Sequence, residues 1–263
     1  MFGTQSRRAR VGVTCLLAVM VIPFIIPLYT MVQGSLAGSR WGNYRTVLKL
    51  HGFWGYFRNS IIISAGTIAL VYLLTMAASF GFSKLTIRGK ELYFWLMMGA
   101  LTMPEIVLLT PLVVTASKTG TSGTYWSVIL PLVALQVPFT VLLARSYVDG
   151  IPDALFEAAR IDGAGTWRQF WSLLVPLAKP MAVAIVVLVL INSWNSYLLP
   201  LVMLGGSNGH QVVTQLTNAF KAQYTDDQTK VLAGAVLAAL PEILAYILMQ
   251  RQFERGMTAG AIK

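Results

Sequence analysis

The sequence predicts an all-α integral membrane protein with six transmembrane helices. Charged residues make up only 11% of the 263-residue chain and apolar residues 56%, with a mean hydropathy of +0.66. So few charges cannot solvate the surface of a soluble domain this long. The charges that exist are spaced to leave six stretches of about 20 residues, the length of helix that crosses a ~30 Å hydrocarbon core. Basic residues also fall unequally on alternate sides of those stretches, as the positive-inside rule requires of a multi-pass chain.

The first span, about 11–33, lies in the uncharged run between Arg10 and Arg40. Arg7, Arg8 and Arg10 precede it and Ala37-Gly38-Ser39 faintly resembles a cleavage site, but the run is longer than the apolar core of a signal peptide, so a retained anchor is expected. Cys15, the one cysteine, lies inside it and cannot form an intramolecular disulfide or a cysteine metal cluster; a small buried apolar residue is the expectation.

The second span, 59–83, runs uncharged from Arg58 to Lys84 and carries Tyr72, Thr75 and Ser79. The third, 92–116, contains Thr102, Pro104, Glu105, Thr110 and Pro111; the fourth, 125–147, contains Pro131, Gln136, Pro138 and Thr140. The fifth, 180–203, ends in Asn192, Trp194, Asn195 and Tyr197, and the sixth, 230–250, contains Pro241 and Glu242. Intramembrane prolines predict kinked or broken helices, tolerated where neighbours or a wet cavity satisfy the freed carbonyls. The hydroxyl and amide side chains serve either as interhelical glue or as a polar cavity wall. Glu105 and Glu242 each cost at least ~2.5 kcal/mol at membrane depth, so they face a cavity or partner, snorkel to an interface, or stay protonated.

With the N-terminus inside, the inside segments hold 13 of the 20 basic residues and the outside segments 7, four of them in the first loop. This favours cytoplasmic termini and a cytoplasmic 148–179 segment. The net charge of +10 is then an orientation signal beside anionic headgroups rather than a nucleic-acid surface. No phosphate-cradling G-x-x-x-x-G-K-[ST] loop occurs, and His51 and His210 lack carboxylates at useful spacing, so no catalytic site, metal or cofactor is expected on this chain. Asp226 and Asp227 read as a solvated turn.

The 148–179 segment is a polar, amphipathic island between two long apolar stretches. Asp149-Gly150-Ile151-Pro152-Asp153 is a turn leading into a helix, with proline in the first turn and an acid at the positive end of the dipole. Leu155, Phe156 and Ala159 fall on one side of that helix, with Glu157 and Arg160 elsewhere as an i,i+3 pair. Gly163 and Gly165 break it. Thr166 to Gln169 fits a capping box for a second helix carrying Trp167, Phe170, Trp171 and Leu174 as one stripe. The pattern suits a compact docking knob, and equally an interfacial hairpin resting on headgroups.

Glu157-Ala158-Ala159, three residues, Gly163, nine residues, then Leu173 and Val175-Pro176 resembles the EAA loop of ATP-binding-cassette (ABC) importer permeases. The string from Glu157 to Gly165, the run Ser193-Trp194-Asn195-Ser196-Tyr197 before Pro200-Leu201, and the tail from Gln252 to Lys263 resemble the carbohydrate branch, in particular the second, six-helix permease of maltose-type importers. The resemblance implies a type I ABC-importer transmembrane fold and a single transmembrane domain over 1–263. Within it the N-terminus 1–10 and the tail 251–263 would be cytoplasmic, the core would run from about 55 to 250, and the EAA loop would join helices 4 and 5. It implies a bacterial or archaeal plasma membrane and partnership with a second, different permease. Two ATPase subunits would use ATP and Mg, and an external solute-binding protein would deliver a sugar. Phe156, Glu157, Ala158, Ala159, Arg160, Asp162, Gly163 and Trp167 would couple to the ATPases. Glu105, Asn192, Trp194, Asn195 and Tyr197 would line the pathway, since stacking faces beside amides suit sugars. The 204–229 loop, with Gly206, Asn208, His210 and Gln211, would touch the binding protein. A stand-alone channel or proton-coupled carrier relaying through Glu105 and Glu242 is the alternative.

Overall fold

The computed structural model describes residues 7–205, 209–221 and 227–259, with side chains at 12–205, 209–221 and 227–250. Gly206 and Asn208 lie outside the described residues, as do residues 1–6 and 260–263 at the two ends. The described chain is helical: α1 (Arg7–Ser35), α2 (Trp41–Leu48), α3 (Phe53–Lys84), α4 (Lys90–Gly99), α5 (Glu105–Lys118), α6 (Trp126–Asp149), α7 (Asp153–Ile161), α8 (Thr166–Gln169), α9 (Val175–Leu177), α10 (Lys179–Trp194), α11 (Leu198–Met203) and α12 (Gln228–Ala259). Four uninterrupted helices are long and apolar enough to cross a membrane: Gly12–Ser35, Phe53–Lys84, Trp126–Asp149 and Gln228–Gln250. The count reaches six when two bent pairs, Lys90–Thr102 with Glu105–Lys118 and Thr166–Leu177 with Lys179–Trp194, are each taken as one span.

The bends follow from local chemistry. Pro104 disfavours a helical residue before it, so Met103 is extended (φ −85°, ψ 117°) and the two halves meet at 102°. The expected third span is therefore two short helices, with Glu105 opening the second at the positive end of its dipole. The fifth span also departs from one continuous helix over 180–203: α10 stops at Trp194 and α11 restarts at Leu198.

Contacts divide the chain into two units. One holds α1 and α2 together with Leu216–Ala238. In it the Asn43 amide donates to the carbonyls of Ser35 (2.9 Å) and Ala37 (2.8 Å), tying α2 to the end of α1. Cys15 is exposed on α1 rather than buried, because the most apolar stretch of that helix has no buried residue; an apolar side chain there faces lipid as readily as protein.

The other unit runs from Trp54 to Gln215 and resumes at Ala239. Ile63 and Val71 of α3 pack with Val128, Leu132 and Ala144 of α6 and with Ile185 and Val189 of α10. The α3–α6 approach is close at Gly66, where a Cβ would stand 2.9 Å from Ile129 Cδ1, so alanine there would force the isoleucine to move. Deeper along the same pair the hydroxyls of Thr75 and Thr140 share a buried 2.7 Å hydrogen bond, the interhelical glue expected of such residues, worth about 0.6 kcal/mol in a bilayer.

Candidate functional site

The island folds into a knob. Pro152 leads into α7 with its ring-fixed φ of −57° and a non-helical ψ of 130°, and Asp153 occupies the first turn. The helix ends where Gly163 adopts φ +78°, a left-handed conformation that L side chains enter only at a cost. Next, Gly165 rather than Thr166 caps α8 without a side-chain bond. The capping box is therefore not formed, and the Gln169 amide instead donates to the Ala164 carbonyl at 2.8 Å, closing the elbow from inside.

From Phe170 to Leu174 the backbone widens into a π-helical turn. Pro176, which has no N–H for the carbonyl four residues back, follows it. The expected four-residue stripe splits here: Phe170 and Leu174 are buried, whereas Trp167 is 77% exposed and Trp171 half-exposed. Phe170 and Leu174 are four apart and share one face; Trp167 and Trp171, also four apart, share the next.

The knob is thus two-sided. Phe156, 2% exposed, inserts into a cluster with Met76 and Phe80 of α3, Val148 of α6, and Phe170, Leu174 and Ala178. Phe80 holds it from above, its ring centroid 6.0 Å from Phe156 and 5.7 Å from Phe170. Beside the ring, Lys84 Nζ donates to the Ile151 carbonyl and to Asp153 Oδ1, both at 2.7 Å, and lies 5.3 Å from the Phe156 centroid. That hydrogen bond holds the Asp153 carboxyl below its ordinary range, with the Lys84 charge adding to the effect. Of the residues expected to couple, Glu157, Ala158, Arg160, Asp162, Gly163 and Trp167 are exposed, Ala159 is half-buried, and Phe156 is turned inward. Glu157 and Arg160 do not form the expected ion pair among the described residues. Arg160 instead contributes a weak Coulombic pull on Asp153.

A neighbouring network closes the end of α6. Arg145 forks onto Glu91 of α4 (2.6 and 3.0 Å), reaches Asp149 at 3.7 Å, and stacks 4.2 Å from the Phe94 centroid. Its planar guanidinium suits both partners at once.

The second feature is a cavity of about 700 Å³ whose lining includes Glu105, Gln136, Phe139, Thr140, Asn192, Asn195, Ser196 and Tyr197. It forms where the third span breaks before Glu105 and where α10 gives way to α11, which brings the α5 N-terminus and the α10–α11 junction to one wall. Asn192 donates to the Leu188 carbonyl at 2.9 Å, while the Asn195 amide donates to the Ile191 carbonyl at 3.0 Å and to Glu242 Oε1 at 2.7 Å. Both amide atoms of Gln136 and the Ser196 hydroxyl are buried without a hydrogen-bond partner among the described residues. Four of the five expected pathway residues meet here. Trp194 does not: it is 6% exposed and packs 6.5 Å from the Phe57 ring, because it points a helical step away from Asn192 and Asn195. Gln136 and Ser196 were legible only as polar residues inside apolar runs.

In the 204–229 segment, Val213–Phe220 forms a 3-10 helix whose Val213 and Leu216 are buried. Residues 209–211, part of the second unit, are tied to α3 within it: Asn59 donates to the Gly209 and Gln211 carbonyls at 2.8 Å, and Tyr56 donates to Gln211 Oε1 at 2.5 Å. His210 Nδ1 lies 2.9 Å from the Gly123 carbonyl, with its ring 4.7 Å from that of Tyr125. Both expected contact residues in the described part are therefore half-buried and already engaged within the chain.

A family model described as the binding-protein-dependent transport system inner membrane component matches residues 74–259. The chain is 30% identical over 226 residues to the diacetylchitobiose uptake system permease protein NgcG of Streptomyces coelicolor, covering 85% of this chain and 74% of that one. It is 32% identical over 211 residues to the arabinooligosaccharides transport system permease protein AraQ of Halalkalibacterium halodurans, covering 80% and 75%. Among solved structures, a bacterial ABC transporter involved in the import of the acidic polysaccharide alginate superposes with a TM-score of 0.80 at 20% identity, covering 96% of this chain and all of that one.

Proposed function

The chain belongs to the family of binding-protein-dependent transport inner membrane components, and on that premise we propose that it is one of two different permease subunits of a sugar importer. A permease of this class is a multi-pass membrane protein that works with ATPase subunits and a solute-binding protein. In our reading ATP is bound and hydrolysed by the partners and this chain holds no catalytic site. The termini and the knob face the cytoplasm, and the cavity is this subunit's half of the sugar pathway. Relatives named for diacetylchitobiose and arabinooligosaccharides support a sugar. So does a wall that sets three amides beside Phe139 and Tyr197, since such walls offer stacking and hydrogen bonding to hydroxyls.

One observation carries the coupling role: the knob buries Phe156 and Phe170 against the membrane helices while it leaves Glu157, Arg160, Asp162 and Trp167 exposed. A surface loop held this firmly from beneath, with its charges outward, has the form of a helix that docks in a partner's groove. ATPase closure would then bias the permease between two states through that contact.

Replacing Glu157 by Ala or Gly163 by Val tests this. A truncated buried interfacial charge pair typically costs ~2–5 kcal/mol. Both variants are expected to insert and to pair with the second permease, yet to lose ATPase subunits on purification or to lose sugar-stimulated hydrolysis. Wild-type ATPase retention and turnover in both would remove the knob from the mechanism.

A further inference from the structure

We propose that Lys84 is the positioning residue that makes α3 move with the knob, so that ATPase closure reaches the cavity wall. The inference rests on the docking role of the knob and adds to it the route by which the motion leaves it.

Lys84 is the last residue of α3, and its side chain is 4% exposed although it bounds a membrane span. Its ammonium has three directional neighbours, all from the knob's first turns: the Ile151 carbonyl, the Asp153 carboxylate and the Phe156 ring. The ring stacking of Phe80 on Phe156 also joins α3 to the knob, but apolar contacts permit sliding and rotation because they have no preferred direction. Two hydrogen bonds at 2.7 Å from one charged nitrogen do not, since charge-assisted bonds weaken steeply off axis.

From Lys84 the path continues on observed contacts. Helix α3 is a single unbroken element from Phe53 to Lys84. Its Thr75 bonds to Thr140 of α6 at 2.7 Å, and Thr140 lines the cavity. A displacement of α7 is thereby delivered to the wall through one rigid helix. Arg145 and Glu91 bind α6 to α4 at the same end, and Arg145's further partner, Asp149, is the last residue of α6 itself; among the described residues the ion pair that joins α7 to a membrane helix is Lys84 with Asp153.

The experiment uses the complete complex with its ATPases and binding protein, in a Cys15→Ser background with Leu198→Cys as a reporter on the cavity wall. The reporter is modified with an aqueous maleimide, and labelling at that site is read by mass spectrometry with and without ATP plus vanadate. With Lys84 present, the labelling rate is expected to change about tenfold on trapping, within the usual span of allosteric coupling. Lys84→Met keeps the packed stem and loses the ammonium. It is expected to retain its ATPases and to trap nucleotide, yet to show less than about a twofold change, with Lys84→Arg restoring the response. A Lys84→Met complex that responds like the wild type overturns the proposal. Where Lys84→Met does not assemble, Asp153→Asn decides: Asp153 is exposed, so assembly survives, and an undiminished response overturns the proposal while a reduced one supports it. Failure of the underlying docking role has a different signature, in which Glu157→Ala and Gly163→Val keep both their ATPases and the response.

Discussion

The knob and the cavity wall, two polar regions of one packed unit, treat their polar groups in opposite ways. On the underside of the knob the polar groups are matched: Lys84 has the Ile151 carbonyl and Asp153, and Gln169 has the Ala164 carbonyl. In the wall Asn192 and Asn195 have partners, but Gln136 and Ser196 are buried without one among the described residues. An orphaned buried polar group costs about 1–3 kcal/mol, whereas a satisfied one is neutral or mildly favourable. The matched region resists deformation and suits the transmission of force. The unmatched one stores hydrogen-bonding capacity that water, a hydroxylated solute or a second conformation can satisfy.

That contrast breaks most severely at Phe156. Phe156→Ala removes a ring from a closed cluster, and such a deletion costs about 3–5 kcal/mol. The expected result is a large loss of amide hydrogen-exchange protection across 153–161 with little change in α3 or α6 above Thr75. Uniform loss of protection throughout α3 and α6 would mean that the knob is not an independent module.

A smaller effect is expected on the other side of the comparison. Asn195→Ala leaves the Glu242 carboxylate without its amide donor, a change worth about 1 kcal/mol for a bond of this kind in a membrane protein. Solute import should fall several-fold, while the ATPases remain attached and the knob keeps its exchange protection. Loss of ATPase attachment in this variant would merge the two regions that the structure separates.

The smallest effect concerns pH. The Asp153 carboxyl is held below its ordinary value by the Lys84 hydrogen bond, so the folded state favours the ionised form. Stabilisation from the pair is present above the unfolded value of about 3.9 and is lost as pH falls through the lower folded value. Protection of α7 should therefore not vary between pH 5 and 8 on account of this group and should decline only below about pH 4. Asp153 is largely exposed, so the decline should be slight. A transition near pH 6 in α7 protection would assign its control to another group.

Much of the architecture was legible because the bilayer is an exacting solvent. Charge gaps placed the spans, and Pro104 was one of several intramembrane prolines expected to bend or break a helix; the third span breaks there, while α6 runs on through Pro131 and Pro138. The knob's first helix and its glycine elbow followed from spacing alone, whereas Phe156, expected among the residues that meet the ATPases, is turned inward while Leu155 beside it stays exposed. The restart at Leu198 has its signal in Pro200, which was not read as a break: proline has no N–H for the Ser196 carbonyl, which accepts from the Thr214 hydroxyl at 2.9 Å instead, whereas the π-helical turn at Phe170 depends on packing that a 3.6-residue period cannot anticipate. The partners of Lys84 lie 67 and 69 residues away, so in sequence it reads only as a basic residue at the end of a span. Trp194 and Tyr197 look alike as sugar-stacking residues, and only the fold turns one inward and leaves the other on the wall.

The central claim is that the outer face of the knob meets an ATPase rather than lipid. Photo-crosslinking residues placed singly at Ile161 and Trp167, which are 87% and 77% exposed, test it in the assembled complex in membranes. The account expects covalent products with an ATPase subunit from both positions and none from Phe156. Lipid adducts alone from Ile161 and Trp167 would contradict it and leave an interfacial hairpin in its place.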